Sequence, residues 1–275
     1  MLVTGRDAAA VVPPEALADD TALAASLAAG AGRVLLDLRD RAGRDGVPFD
    51  GEALGRAGDA AAQAWLAEAL ADTRPDDAVL SEEAERDDRR LTADRVWIVD
   101  PLDGTREFAE CAAGGARRTD FAVHVALWVR SRGLIGGAVA LPALGRTLDV
   151  SAVPAARAAS SGAPLRIAVS RTRPPAIARR LAERHDIELI ELGSVGVKVA
   201  AVLDGEADAY VHAGGQYEWD SAAPVAVARA AGLVATRLDG SALEWNRPDP
   251  WQPDLFVCDP AVEARLRALL AEALA

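Results

Sequence analysis

The chain has 275 residues, 51% of them hydrophobic, and a formal net charge of −12. That length and content can bury a large core in one or two domains, while the acidic balance excludes a surface that grips nucleic acid by counterion release. A small anionic substrate stays within reach if bound cations invert the local field. Cys111 and Cys258 are the only cysteines; far apart and without CxxC spacing, they suggest neither a disulfide framework nor a zinc site and fit a reducing compartment. The segment 1–20 carries acids and prolines where a secretory signal has a basic start and an apolar run, and no uninterrupted apolar stretch reaches the roughly 20 residues of a membrane helix. These features predict a cytoplasmic protein without membrane or nucleic-acid partners.

In chain order, Leu23, Leu27, Val34, Leu35 and Leu38 fall near helical spacing and predict a helix over 16–43, followed by a second over 59–71 through Trp65, Leu66 and Leu70. Strand-like runs come next at 78–81, 95–100, 121–129 and 134–141, several joined by loops, which favours a largely antiparallel first sheet. The small, polar, proline-marked segment 151–164 reads as a connection, dividing an N-terminal lobe (1–158) from a C-terminal lobe (159–275). Beyond it strands and helices alternate: LRIAVS, a helix near 175–184, IELIEL, a helix near 194–204, ADAYVHA, and a helix from WDSAAP closed by Gly232. Strands at 233–238 and 254–258 and an amphipathic C-terminal helix complete an α/β lobe.

The sharpest local feature is VWIVDPLDGT (96–105). A DPxDGT string arises by chance in a chain of this length on the order of one time in ten thousand. An apolar strand ending at Asp100 puts that carboxylate at a sheet rim, Pro101 stiffens the exit, and Asp103 turns back toward the same point. Hard cations want such oxygen ligands, and Mg²⁺ typically takes one or two carboxylates while leaving room for water and phosphate. Gly104 and Thr105 lie where a short helix begins and can meet a phosphate. Upstream, Glu82 and Glu83 in LSEE sit at another strand end, where paired glutamates alone read as a solvated turn. Downstream, Asp220 in EWDSAAP opens a helix, and an N-cap role is the alternative to a ligand role.

In this order the motifs resemble the inositol monophosphatase superfamily, across nearly the whole chain after about residue 50. The resemblance implies an α/β fold of alternating layers, αβαβα, with the site between the lobes, and a mechanism using two or three Mg²⁺ ions without a phosphoenzyme. It implies Glu82, Asp100, Asp103 and Asp220 as metal-ligand side chains, with the Leu102 carbonyl completing one site. Glu82 and Thr105 would activate the attacking water. Asp59 would mark an outer metal position, or else be a solvated helix acid. Lithium sensitivity is a further implication, and homodimers are common in the superfamily.

DPLDGTREF, AVSR, LGSVGVK, DGEADAY and GGQYEWDSAAP are similar to the CysQ-type bisphosphate nucleotidases within that superfamily. Hydrolysis of the 3'-phosphate of 3'-phosphoadenosine 5'-phosphate in sulfate assimilation is the implied reaction. Inositol-1-phosphate or fructose-1,6-bisphosphate hydrolysis, or a non-catalytic phospholigand or metal sensor, are the alternatives. Lys198, the only lysine among 30 cationic side chains, falls in the glycine-serine motif, so Gly193, Ser194 and Lys198 are substrate-binding candidates with Gly104, Thr105, Ser170, Arg171 and Asp220. Lys198 as a solvated helix residue is the alternative. Three departures stand out: the lead-in to Asp59 lacks the usual Lys and Ser/Pro, Arg173 replaces a frequent His, and His212 replaces a frequent phosphate-contacting Arg. His212 is therefore either a substrate group or a residue packed at a strand end. The segment 110–120 looks lengthened, either as a cover for the site or as a plain solvated loop.

Overall fold

The computed structural model describes residues 19–44, 51–110, 117–156 and 164–274. Two helices, α1 (Asp20–Arg44) and α2 (Gly51–Thr73), precede β1 (Ala78–Ser81) and β2 (Arg95–Asp103). The short α3 (Thr105–Ala109) leads to β3 (Ala122–Val129), β4 (Gly133–Leu141) and β5 (Arg146–Asp149). The second half runs β6 (Leu165–Ser170), α4 (Ala176–Arg184), β7 (Ile187–Leu192), α5 (Val195–Leu203), β8 (Ala209–Tyr217), α6 (Glu218–Ala230), β9 (Val234–Thr236), β10 (Trp251–Cys258) and α7 (Pro260–Leu274).

The strands form two five-stranded sheets, ordered β1-β2-β3-β4-β5 and β7-β6-β8-β10-β9. The first is antiparallel except for the parallel pair β1 and β2; a parallel pair needs a crossover, which the chain between Ser81 and Arg95 supplies. The second is mixed, with β6 parallel to β7 and β8, and β10 antiparallel to β8 and β9.

Burial explains the layering. On α1, Leu23, Leu27, Ala31 and Leu35 recur at four-residue intervals and are fully buried, giving one apolar stripe. They share a cluster with α2 and with Trp97, Val99, Val125 and Leu127 of the first sheet. By length and composition α1 would suffice to cross a membrane; here its apolar stripe faces the sheet. The other face of that sheet, through Val96, Ile98 and Val139, joins α5, α6 and the inner face of the second sheet in a single core. Helices α4 and α7 cover the outer face of the second sheet. The order helix, sheet, helix, sheet, helix follows, and α5 and α6 are the shared middle layer. The two sheets fall either side of the proposed connection, of which 157–163 lie outside the described residues.

Strand β5 is absent from the sequence expectation, and β8 and β10 run longer than it; three further differences bear on the site. Helix α2 begins at Gly51 rather than near 59, and its Gly55 and Gly58 are points of close approach. A Cβ at Gly55 would lie 2.8 Å from Thr105 and one at Gly58 2.7 Å from Phe108, so glycine brings α2 against α3. Strand β2 runs on through Pro101 and Leu102 to Asp103. Helix α6 starts at Glu218, so Asp220 is its third residue rather than its N-cap.

Candidate active site

A break in the β2 ladder creates the carboxylate pair. Residues three apart on a regular strand point to opposite faces. In β2 the pairing with β3 runs regularly to Asp100 opposite His124, then shifts, so that Asp103 faces Ala122. Pro101 cannot donate to the ladder and sits in this irregularity. The shift turns Asp103 to the side of Asp100, and the start of α6 brings Asp220 to meet them: one carboxylate oxygen from each lies within 4.8 Å of the others.

Each carboxylate is held by one oxygen. Asp100 Oδ1 accepts from Leu102 N at 3.0 Å. Asp220 Oδ2 accepts from Tyr217 N at 2.6 Å, closing the first turn of α6. Asp103 Oδ2 accepts from Ser194 Oγ at 2.6 Å, from Gly196 N at 3.3 Å and from Val195 N, so the N-terminus of α5 fixes a carboxylate of the opposite sheet. His124, fully buried, lies with Nε2 3.4 Å from the same oxygen; burial lowers its pKa, against the pull of Asp103.

Burial and mutual repulsion set the electrostatics of the cluster. Burial, then the charges of Asp220, Asp103, Asp59 and Glu83, push the Glu82 carboxyl up to about 8. Burial and Asp103 raise Asp220 to about 7, burial and Glu83 raise Asp59 to about 7, and Asp100 is held well above the carboxylate range by burial and by Glu82. Asp100 Oδ2 is buried without a hydrogen-bond partner. Buried carboxylates crowded together, one of them with an orphaned oxygen, fit hard divalent metal ions.

Around this floor opens a cleft of about 610 Å³, within the range of small-molecule sites. Of the expected residues, Glu82, Asp100, Leu102, Asp103, Gly104, Thr105, Ser170, Gly193, Ser194, Lys198, His212 and Asp220 all line it. Asp59 stands beside it: Thr105 Oγ1 lies 3.3 Å from Asp59 Oδ1 and 3.1 Å from the Leu102 carbonyl. Gly104 has φ +90°, and a Cβ there would lie 3.0 Å from Asp120 O, so the tight exit from β2 requires glycine.

Arg171 is placed differently. It pairs with Glu107 at 2.8 Å and Glu110 at 2.9 Å, outside the lining. Lys198 is 4% exposed; its Nζ donates to Gly193 O at 3.1 Å, beneath the turn, and lies 5.2 Å from the Tyr210 ring centre. Burial lowers that ammonium to about 8, against the carboxylates nearby. His212 Nε2 donates to Gly215 O at 2.9 Å, and burial lowers its pKa. Arg106, Arg173, Tyr217 and Trp251 also line the cleft. The sequence reading assigned these no site role, and Trp251 carries no local motif that would have flagged it. Residues 111–116 of the suspected cover lie outside the described residues.

The model of the inositol monophosphatase family matches residues 17–275. The chain belongs to that family. Among curated relatives, the 3'-phosphoadenosine 5'-phosphate phosphatase of Mycobacterium leprae is 49% identical over 92% of this chain and 94% of its own. The 3'(2'),5'-bisphosphate nucleotidase CysQ of Escherichia coli is 33% identical over 69% of this chain and 78% of its own. Among solved structures, CysQ from Bacteroides thetaiotaomicron superposes with a TM-score of 0.67 at 25% identity, covering 94% of this chain and 98% of that one.

Proposed function

We propose that this family member is a Mg²⁺-dependent phosphomonoesterase that hydrolyses 3'-phosphoadenosine 5'-phosphate to AMP and inorganic phosphate. The carrying observation is the convergence of Asp100, Asp103 and Asp220 oxygens within 4.8 Å at the floor of a cleft that also holds cationic side chains. The names of the M. leprae and E. coli relatives favour the nucleotide over other phosphate esters. Disposal of this nucleotide would serve sulfate assimilation in the cytoplasm.

Glu82, Asp100, Asp103, Asp220 and the Leu102 carbonyl would hold the Mg²⁺ ions, with Asp59 at an outer position. When bound, the ions would neutralise phosphate charge and lower the pKa of a water from about 15.7 toward neutrality. The Thr105 hydroxyl has one proton to give and two acceptors, Asp59 and Leu102 O, and its own lone pairs orient the attacking water. Glu82 takes the proton that this water releases. A bond from the water oxygen to phosphorus forms as the bond from phosphorus to O3' breaks, and the proton ends on the freed 3'-hydroxyl. Arg173 lines the cleft and its side chain makes no ion pair among the described residues, which suits it to the second phosphate.

Phosphate release from the bisphosphonucleotide, inositol-1-phosphate and fructose-1,6-bisphosphate tests the reading. Preference for the first, abolished by chelator, is expected; preference for either sugar phosphate overturns the assignment.

A further inference from the structure

Among the described residues the exposed large hydrophobic side chains are Leu144, Tyr217 and Trp251. Single exposed apolar side chains are ordinary, but Tyr217 (39% exposed) and Trp251 (45%) both line the charged cleft. The ladder between β8 and β10 explains why they stand together. Trp251 pairs with Tyr217, and Gln252 with Gln216; directly opposed residues share a face and successive residues alternate. The two glutamines are buried, at 2% and 6% exposure, so the two aromatics project together on the other face.

Both rings are held in place. Tyr217 stacks on the nearly buried Trp219, with centroids 4.7 Å apart and an interplanar angle of 12°, and its backbone N–H is bonded to the metal-site carboxylate of Asp220 at 2.6 Å. The Trp251 indole lies against the backbone of Gly215, where a Cβ would come within 2.6 Å of Nε1. Gly214 and Gly215, at φ +112° and +95°, leave this part of the rim without side chains. Folding gains nothing from leaving two large rings half in water beside the metal site; a flat π-system bound there would cover them. Inositol and fructose phosphates have no such ring, whereas a nucleotide does.

We infer that Trp251 and Tyr217 form a stacking platform for the adenine ring, and so determine specificity for the base. This rests on the nucleotidase reading above and extends it to the base of the ligand. The carboxylate floor takes the ester, the cationic wall takes the second phosphate, and the aromatic rim takes the base. Stacking tolerates any base, so the platform separates nucleotides from sugar phosphates more sharply than it separates one purine from another.

The test compares KM for 3'-phosphoadenosine 5'-phosphate and for its base-free analogue, 1-deoxyribose 3,5-bisphosphate, in the Mg²⁺-loaded enzyme. Trp251→Ala should reduce the preference for the base-bearing substrate about tenfold, through KM, while Trp251→Phe keeps most of it; Tyr217→Ala should act in the same direction. Binding is read separately by titrating AMP against tryptophan fluorescence. AMP, but not ribose 5-phosphate, should quench the wild type more than Trp251→Phe. If the bisphosphonucleotide is not hydrolysed, the functional reading fails and the AMP titration still decides the platform. Equal KM shifts for the two substrates in Trp251→Ala, or equal quenching of wild type and Trp251→Phe by bound AMP, would overturn it.

Discussion

Replacing Arg90 by Met should cost this protein about 4 kcal/mol of folding stability, because the guanidinium fastens the segment bearing Glu82 to the helix bearing Asp220. Arg90 is 1% exposed, in the single-turn 3₁₀ helix Asp88–Leu91. Its Nη1 donates to Asn246 Oδ1 at 2.7 Å and its Nη2 to Arg247 O at 2.8 Å and Pro248 O at 3.2 Å, while Asn246 Nδ2 donates back to Arg90 O at 2.9 Å. The backbone N–H groups of Asn246 and Arg247 in turn donate to the Glu218 carboxylate at 2.6 and 2.9 Å. Methionine keeps the apolar stem but strands the buried Asn246 Oδ1, a loss of about 1–3 kcal/mol, and leaves the part-buried carbonyls of Arg247 and Pro248 without their donor. It also removes a charge that helps hold the buried Glu218, whose carboxyl burial already lifts to about 7; losing one partner of a buried charged network costs about 3–5 kcal/mol. The contributions overlap, so about 4 kcal/mol is expected of a total of about 5–15. Urea unfolding should show a lower midpoint at unchanged slope. Asn246 has φ +57°, so Asn246→Gly removes its side chain without adding backbone strain, and a cycle of the two substitutions should show coupling of at least about 1 kcal/mol. A loss below about 1 kcal/mol in Arg90→Met, or strict additivity with Asn246→Gly, refutes the latch.

Asp100→Asn should lower phosphate release by at least roughly 10²-fold yet raise the melting temperature of chelator-treated protein, because it removes a buried acid that its neighbours oppose; full turnover or a lower melting temperature refutes this. Lys198→Arg should destabilise by about 1–3 kcal/mol through overpacking, since the enclosed ammonium sits between Gly193 O and the Tyr210 ring, and a neutral effect on thermal unfolding refutes it. Asp20 is raised by burial but lowered further by hydrogen bonds from Arg95 and Arg74, so its folded pKa falls below its ordinary 3.8. The stabilisation, about 1 kcal/mol at most for so exposed a network, is complete above that value and lost as pH falls through the folded pKa. Asp20→Asn should therefore weaken the protein at pH 7 and converge with wild type in acid, and a gap that widens below pH ~4 contradicts the linkage.

What the sequence made legible was local. Apolar periodicity located α1, most of the strands and the alternation of strand and helix after β5, which itself carries no apolar run, and DPLDGT located the carboxylate floor because two carboxylates, a carbonyl and a hydroxyl lie within six consecutive residues. The shift that turns Asp103 beside Asp100 was not legible, since it exists only relative to β3. Nor was the aromatic rim, because the exposure of Trp251 follows from its register with Tyr217. Lys198 shows the boundary most clearly. In so arginine-rich a chain a lone lysine marks a place that a planar guanidinium fits poorly, and the tight enclosure under the Gly193 turn supplies the reason. Helical position gives a side chain its direction around the axis but not what covers it, so the near-complete burial of this ammonium, which lines the cleft from beneath the Gly193 turn, was not legible. The two cations of the wall therefore differ in size and solvation: the compact, enclosed ammonium donates to Gly193 O in the turn, whose Ser194 Oγ donates to Asp103, while the guanidinium of Arg173 is exposed.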